Sequence, residues 1–169
     1  MASSLDYKAL KSAALLNGLS DEQLRAVWGA GRRETIKAGD PVISEGDVGD
    51  EMYILLDGVV EVSQTLLLKI GRTNMGEKEK TLIRLEGHQK PCFGEMSLLE
   101  DAERSATVTS LTDCDVLVIN RQHFDELLSK DPGLGNVVLR NIAVIVSSRL
   151  RKANRDVLKL TTALSMALS

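Results

Sequence analysis

The sequence is short of the residues that most site chemistry relies on. Among 169 residues there are two histidines, two cysteines, one Trp, two Tyr and two Phe. Neither His88 nor His123 has partners at metal-ligand spacing, which argues against a metal-dependent enzyme of the cupin type. No Ser-His-Asp arrangement and no Walker loop occurs, so catalysis has no candidate residues, and neither a metal nor a resident cofactor is expected. Cys92 and Cys114 form no CxxC pair. Two idle thiols in a reducing compartment are the simpler reading, with a structural disulfide left open. With aromatics at 3%, the core must be built from Leu, Val, Ile and Ala. No segment approaches the roughly 20 apolar residues of a membrane span. The N-terminus carries Asp6, Lys8 and Lys11 within its apolar portion, unlike a signal peptide. A cytoplasmic address is expected. The formal charge of −3 supplies no basic field for nucleic acid, and the basic cluster Arg149, Arg151, Lys152, Arg155 reads as a solvated helix face.

What is present falls into three periods. Residues 1–30 read as helices. Leu5, Leu10, Ala13 and Leu16 share one face, Gly18 breaks it, and Ser20-Asp21-Glu22-Gln23 forms a capping box that opens a short helix through Trp28. Residues 31–130 read mainly as short strands punctuated by glycines, the pattern of an antiparallel roll. Met52–Leu56, Asp57-Gly58 and Val59–Ser63 predict a tight hairpin. Gly71–Lys80 predicts an exposed flap between strands ending near Ile70 and starting near Thr81, with the apolar Leu66–Leu68 before it a candidate cover. Asn120 is positioned to cap a helix through Leu128. Residues 131–169 read as one long helix, with Asp131 as cap and Pro132 in its first turn. Leu139, Ala143, Val146, Leu150, Ala153, Val157, Leu160, Leu164 and Ala167 follow alternating four- and three-residue steps. That seam, about four heptads long, predicts a parallel homodimer through the helix.

The residues with chemistry lie in FGEMSLLEDAERSATVT, Phe93 to Thr109. Gly94 permits close backbone approach, and a turn from Glu95 to Leu99 leaves free N–H groups that suit an anion. Arg104 follows within one short loop, and its planar donors bind two phosphate oxygens at once. A carboxylate at Glu95 beside an anion is tolerable only if it accepts hydrogen bonds from neutral hydroxyls. The pattern therefore asks for a ligand with both an anion and a hydroxyl, such as a ribose phosphate.

FGE, SLL and R-S-A-T-V resemble the phosphate-binding cassette of cyclic-nucleotide-binding domains, which occur in catabolite activator proteins, protein kinase A regulatory subunits and cyclic-nucleotide-gated channels. The stretch K-A-G-D-P-V-I-S-E-G-D-V-G-D-E-M-Y-I-L-L-D-G is similar to the family's first half at Gly39, Gly46 and Gly58. The resemblance implies an α+β fold: N-terminal helices, an antiparallel, jelly-roll-like β-roll, and a long C-terminal helix for dimerisation and output. It implies that Glu95 accepts the ribose 2′-hydroxyl and Arg104 clamps the cyclic phosphate. Backbone N–H groups around Met96 and Ser97 would cap phosphate oxygens that Gly94 lets approach the backbone, Ser105 would add a hydroxyl near the phosphate and the base, and Leu85 would pack beside the ligand. Asn154, on the stretch matching the family's base-contacting helix, would meet the purine. Ser105, where strongly cGMP-selective members carry Thr, leans the reading to cAMP over cGMP. The resulting expectation is a non-enzymatic sensor that passes ligand occupancy to a protein effector. The alternative is the sensor half of a catabolite-activator-type transcription regulator. The stretch after Ala153 is too short for a helix-turn-helix, so no DNA binding by this chain alone is expected.

Overall fold

The computed structural model describes residues 6–70, 74–100 and 102–168, with the side chains of 66–70 and 74–78 outside the description. The N-terminal segment forms two 3₁₀ turns, Tyr7–Ser12 and Ala14–Leu16, in place of the helical face expected there. Leu10, Ala13, Leu15 and Leu16 are all buried, and adjacent positions such as Leu15 and Leu16 cannot share the single face of an α-helix. Leu5, assigned to that face from sequence, lies outside the described residues. Helix α1 (Asp21–Ala30) begins at the expected capping box: Ser20 Oγ accepts from Gln23 N, and Gln23 Oε1 accepts from Ser20 N.

Among the described residues eight antiparallel strands form two four-stranded sheets. One has the order β1 (Arg32–Ile36), β8 (Cys114–Asn120), β3 (Glu51–Asp57), β6 (Cys92–Phe93). The other has the order β2 (Pro41–Ile43), β7 (Thr107–Ser110), β4 (Val59–Ile70), β5 (Asn74–Glu86). Alternation along β3 explains how the layers meet. Tyr53 and Leu55 face the second sheet with Val60, Phe93, Val108 and Val116. Met52, Ile54 and Leu56 face the helices with Leu117, Ile119 and Phe124.

Two expectations for this region are corrected. Asp57-Gly58 is no hairpin turn, because β3 pairs with β6 and β8 while β4 pairs with β5 and β7. Gly58 is the corner at which the chain leaves one sheet for the other. Its φ of +90° suits glycine, and a Cβ there would meet Asp113 O and Cys114 Sγ at 2.6 Å. The flap expected over Gly71–Lys80 is largely strand: β5 begins at Asn74 and pairs with β4 from Ile70↔Asn74 inward. Its many charges do not prevent this, since the ladder uses only backbone groups. The covering role of the Leu66–Leu68 side chains falls outside the described residues.

Helix α3 (Arg121–Lys130) is capped by Asn120, whose Oδ1 accepts from His123 N at 2.8 Å. Helix α4 (Pro132–Ala167, 36 residues) follows at once. At 1.5 Å per residue it is about 54 Å long, more than one small domain can cover. Asp131 Oδ1 caps it by accepting from Leu134 N, and Asp131 Oδ2 accepts from Gln23 Nε2 at 2.8 Å, joining its start to that of α1. Asn141 Nδ2 donates to the carbonyls of Leu15 and Asn17. Leu134, Val138 and Ile142 are buried against the N-terminal segment. Beyond Val146 the residues of α4 are exposed, including Leu150 (59%), Val157 (62%), Leu160 (63%) and Leu164 (60%).

Candidate functional site

Between β6 and β7 the chain makes the short helix α2 (Met96–Leu99), and Glu95 precedes its first residue. The first N–H groups of any helix have no intrahelical acceptor, so those at Met96 and Ser97 are available as donors. Arg121, at the start of α3, holds this turn by donating to the carbonyls of Ser97 and Glu100.

Arg104 is 8% exposed. It is set in place by backbone bonds to the loop between β2 and β3: Arg104 N donates to Asp47 O at 2.8 Å, and Gly46 N donates to Arg104 O at 2.9 Å. Two glycines of different segments make room for its guanidinium. A Cβ on Gly49 would meet Nη2 at 2.5 Å, and one on Gly94 (φ +74°) would meet Nη1 at 2.7 Å. The guanidinium donates to Gly94 O (3.2 Å), Ser97 Oγ (2.9 Å) and Glu51 O (2.8 Å). All three acceptors are neutral, and among the described residues no carboxylate lies within ion-pair distance of Arg104. The Glu51 carboxylate itself is occupied by Arg32 and by the Tyr53 hydroxyl. The hydrogen bond from Arg32 is the main cause holding the Glu51 carboxyl below its ordinary value. Burial, with the negative charge of Glu51 adding, pushes the Tyr53 phenol up to about 12.

Glu95 is 1% exposed. Its Oε1 is bound by Arg149 Nη1 of α4, and Arg149 Nη2 donates to Cys92 O at 3.0 Å. Its Oε2 is buried and has no hydrogen-bond partner among the described residues. A buried carboxylate oxygen without a donor is costly, and it marks where a ligand hydroxyl would be stabilised. Glu95 and Arg104 form no salt bridge with each other: the carboxylate pairs with Arg149 and the guanidinium with neutral acceptors. Burial, then the neighbouring Glu95 charge, pushes the Cys92 thiol up to about 12, so it is no nucleophile.

Gly94, Glu95, Met96, Ser97, Arg104, Ser105 and Leu85 all line one cavity of about 400 Å³. Its apolar wall includes Ile43, Val62, Ile83, Phe93 and Val108. Asn154 is absent from the lining and exposed; α4 instead presents Arg149, Lys152, Ala153 and Asp156. Those four share one face at helical spacing, and the step from Ala153 to Asn154 rotates the side chain by about 100°, away from the cavity. Sequence reasoning missed Arg149, treated as solvated, along with Gln64, Gly49 and Arg121. Arg149 had one available signal, its position a helical turn before Ala153.

Among the described residues no group of three metal-ligating side chains occurs, and no helix is long and apolar enough to cross a membrane. The pattern defining the cyclic nucleotide-binding domain matches residues 33–131. The chain is 30% identical over 147 residues to the cyclic AMP receptor protein of Thermus thermophilus, covering 87% of this chain and 62% of that protein. The crystal structure of the Thermus thermophilus catabolite activator protein superposes with a TM-score of 0.72 at 30% identity, covering 88% of this chain and 63% of that one. The regulatory domain of Toxoplasma gondii protein kinase A, crystallised with cAMP, gives 0.59 at 30% identity over 72% of this chain and 42% of that one. The chain thus spans less than two thirds of the length of each.

Proposed function

We propose that this chain, which belongs to the cyclic nucleotide-binding domain family, binds a cyclic nucleotide in its cavity and reports occupancy through helix α4. One paired observation carries this reading. Among the described residues, a buried guanidinium with only neutral acceptors and a buried carboxylate oxygen with no donor line the same cavity. A ligand with an anion beside a hydroxyl satisfies both, and a ribose cyclic phosphate has that arrangement. Arg104 takes the phosphate, aided by the N–H groups of Met96 and Ser97 and the Ser105 hydroxyl. Glu95 Oε2 accepts the ribose 2′-hydroxyl, and Leu85 with the apolar wall takes the ring. The relatives named for cyclic AMP agree with this class of ligand.

The coupling follows from shared groups. The carboxylate that receives the ribose is held on its other oxygen by Arg149, so ligand binding and the placement of α4 act on one side chain. Any difference in ligand affinity between two placements of α4 shifts their populations by that amount. The exposed leucines and valines beyond Val146 form an apolar stripe that a monomer seldom tolerates, which supports pairing of two copies along α4. The output is regulatory, not catalytic, and passes to a protein partner. A cytoplasmic address suits two buried, free cysteines. Titration calorimetry with cAMP, cGMP and linear 5′-AMP tests the reading. At least one cyclic nucleotide is expected to bind well above 5′-AMP, and binding of neither cyclic ligand refutes it.

A further inference from the structure

One polar group on the cavity wall has no part in the phosphate and ribose contacts. Gln64 lies on β4 two residues beyond Val62, and both line the cavity. Its Nε2 donates to Ser105 O at 2.7 Å. This bond fixes which way the amide points, because the reversed amide would set two carbonyl oxygens against each other. Among the described residues its Oε1 accepts no hydrogen bond, and the second N–H of Nε2 is likewise unused. The wall therefore presents a donor and an acceptor in fixed order, with the donor on the side of Ser105 and the phosphate site.

We propose that Gln64 reads the base and selects adenine over guanine, an assignment that rests on the cyclic-nucleotide reading of the site. The order of the two groups decides the preference. The imidazole edge of a purine lies nearest the sugar and phosphate, so the donor of Gln64 meets N7 and its acceptor, farther out, meets the 6-substituent. Adenine offers an acceptor at N7 and an amino donor at N6, the edge that Gln and Asn pair with in two bonds. Guanine offers N7 and O6, both acceptors, and O6 opposes Oε1. Turning the amide would give O6 a donor but would set Oε1 against N7, and it would break the bond to Ser105 O. Gln64 is thus a specificity-determining residue supplied by the sheet.

The test is calorimetric titration of the wild type with cAMP, cGMP and 3′,5′-cyclic IMP, and of Gln64→Met with cAMP and cGMP. The wild type is expected to bind cAMP about tenfold or more tightly than cGMP, within the discrimination one bidentate amide–adenine pair supplies. Cyclic IMP, with O6 but no 2-amino group, is expected to bind as weakly as cGMP. Gln64→Met keeps the side-chain length, and it should bring cAMP and cGMP to within about threefold of each other by weakening cAMP alone. An unchanged cAMP/cGMP ratio in Gln64→Met, or cyclic IMP binding as tightly as cAMP, overturns the assignment while leaving the site's reading intact. Binding of none of the cyclic nucleotides by the wild type removes both. The cyclic IMP arm needs no variant, so it decides the matter even if Gln64→Met loses all binding.

Discussion

Replacing Arg149 with Met removes a cation from a carboxylate that is 1% exposed while leaving a side chain of similar reach. Stranding one member of a buried ion pair costs about 3–5 kcal/mol. The Arg149 side chain is 49% exposed, so solvent already screens the pair, and a loss of about 2 kcal/mol is the expected value. For a chain of this size each kcal/mol moves the melting temperature by roughly 2–4 °C, giving a drop of roughly 4–8 °C. A double-mutant cycle isolates the pair. In a Glu95→Gln background no charge is left stranded, so Arg149→Met should cost about 1–2 kcal/mol less there. The lost bond to Cys92 O is common to both arms and cancels. Urea unfolding of the four proteins reads the cycle. Additivity within about 0.5 kcal/mol would refute the claim that α4 is held to the site through Glu95.

The slot around Arg104 predicts that Gly49→Ala, which forces a Cβ to 2.5 Å from Nη2, weakens cyclic-nucleotide binding about tenfold or more with little change in far-UV circular dichroism; unchanged affinity would mean the guanidinium can sit elsewhere. Asp at both Leu150 and Val157 should place like charges in the seam and give monomers in analytical ultracentrifugation, whereas a monomeric wild type would remove the dimer proposal. Glu51, whose carboxyl is held below its ordinary value chiefly by the hydrogen bond from Arg32, stabilises the fold fully above that ordinary value. Its contribution is lost as pH falls through the lower folded-state value, so melting temperatures recorded from about pH 6 to about pH 3 should fall less steeply for Glu51→Gln than for the wild type.

How much of this was legible in the sequence depends on the range of each interaction. The caps at Ser20, Asn120 and Asp131 were readable because each bonds a backbone N–H only three residues away. The grouping of Gly94, Glu95, Ser97 and Arg104 around one cavity was readable for the same reason, since they fall within one short stretch. Strand partners were not. Alternation tells which face a residue takes but not which strand lies beside it, so Asp57-Gly58 read as a hairpin when it is a corner between sheets. Gly49 belongs to the site only because its loop bonds to Arg104, a contact between distant segments. Arg149 reads as one more exposed cation until folding sets it against Glu95, 54 residues away. Asn154 and Ala153 differ by one position, and sequence matching cannot resolve the rotation that turns one toward the cavity and the other to solvent.

Arg104 is proposed to bind the phosphate of a cyclic nucleotide. Titration calorimetry of Arg104→Ala beside the wild type tests it most directly, with circular dichroism confirming that the variant is folded. Removing one partner of a desolvated charge pair costs about 2–5 kcal/mol, so the affinity for cAMP should fall by about 25-fold or more. A folded Arg104→Ala protein that binds cAMP as tightly as the wild type would show that Arg104 does not hold the phosphate.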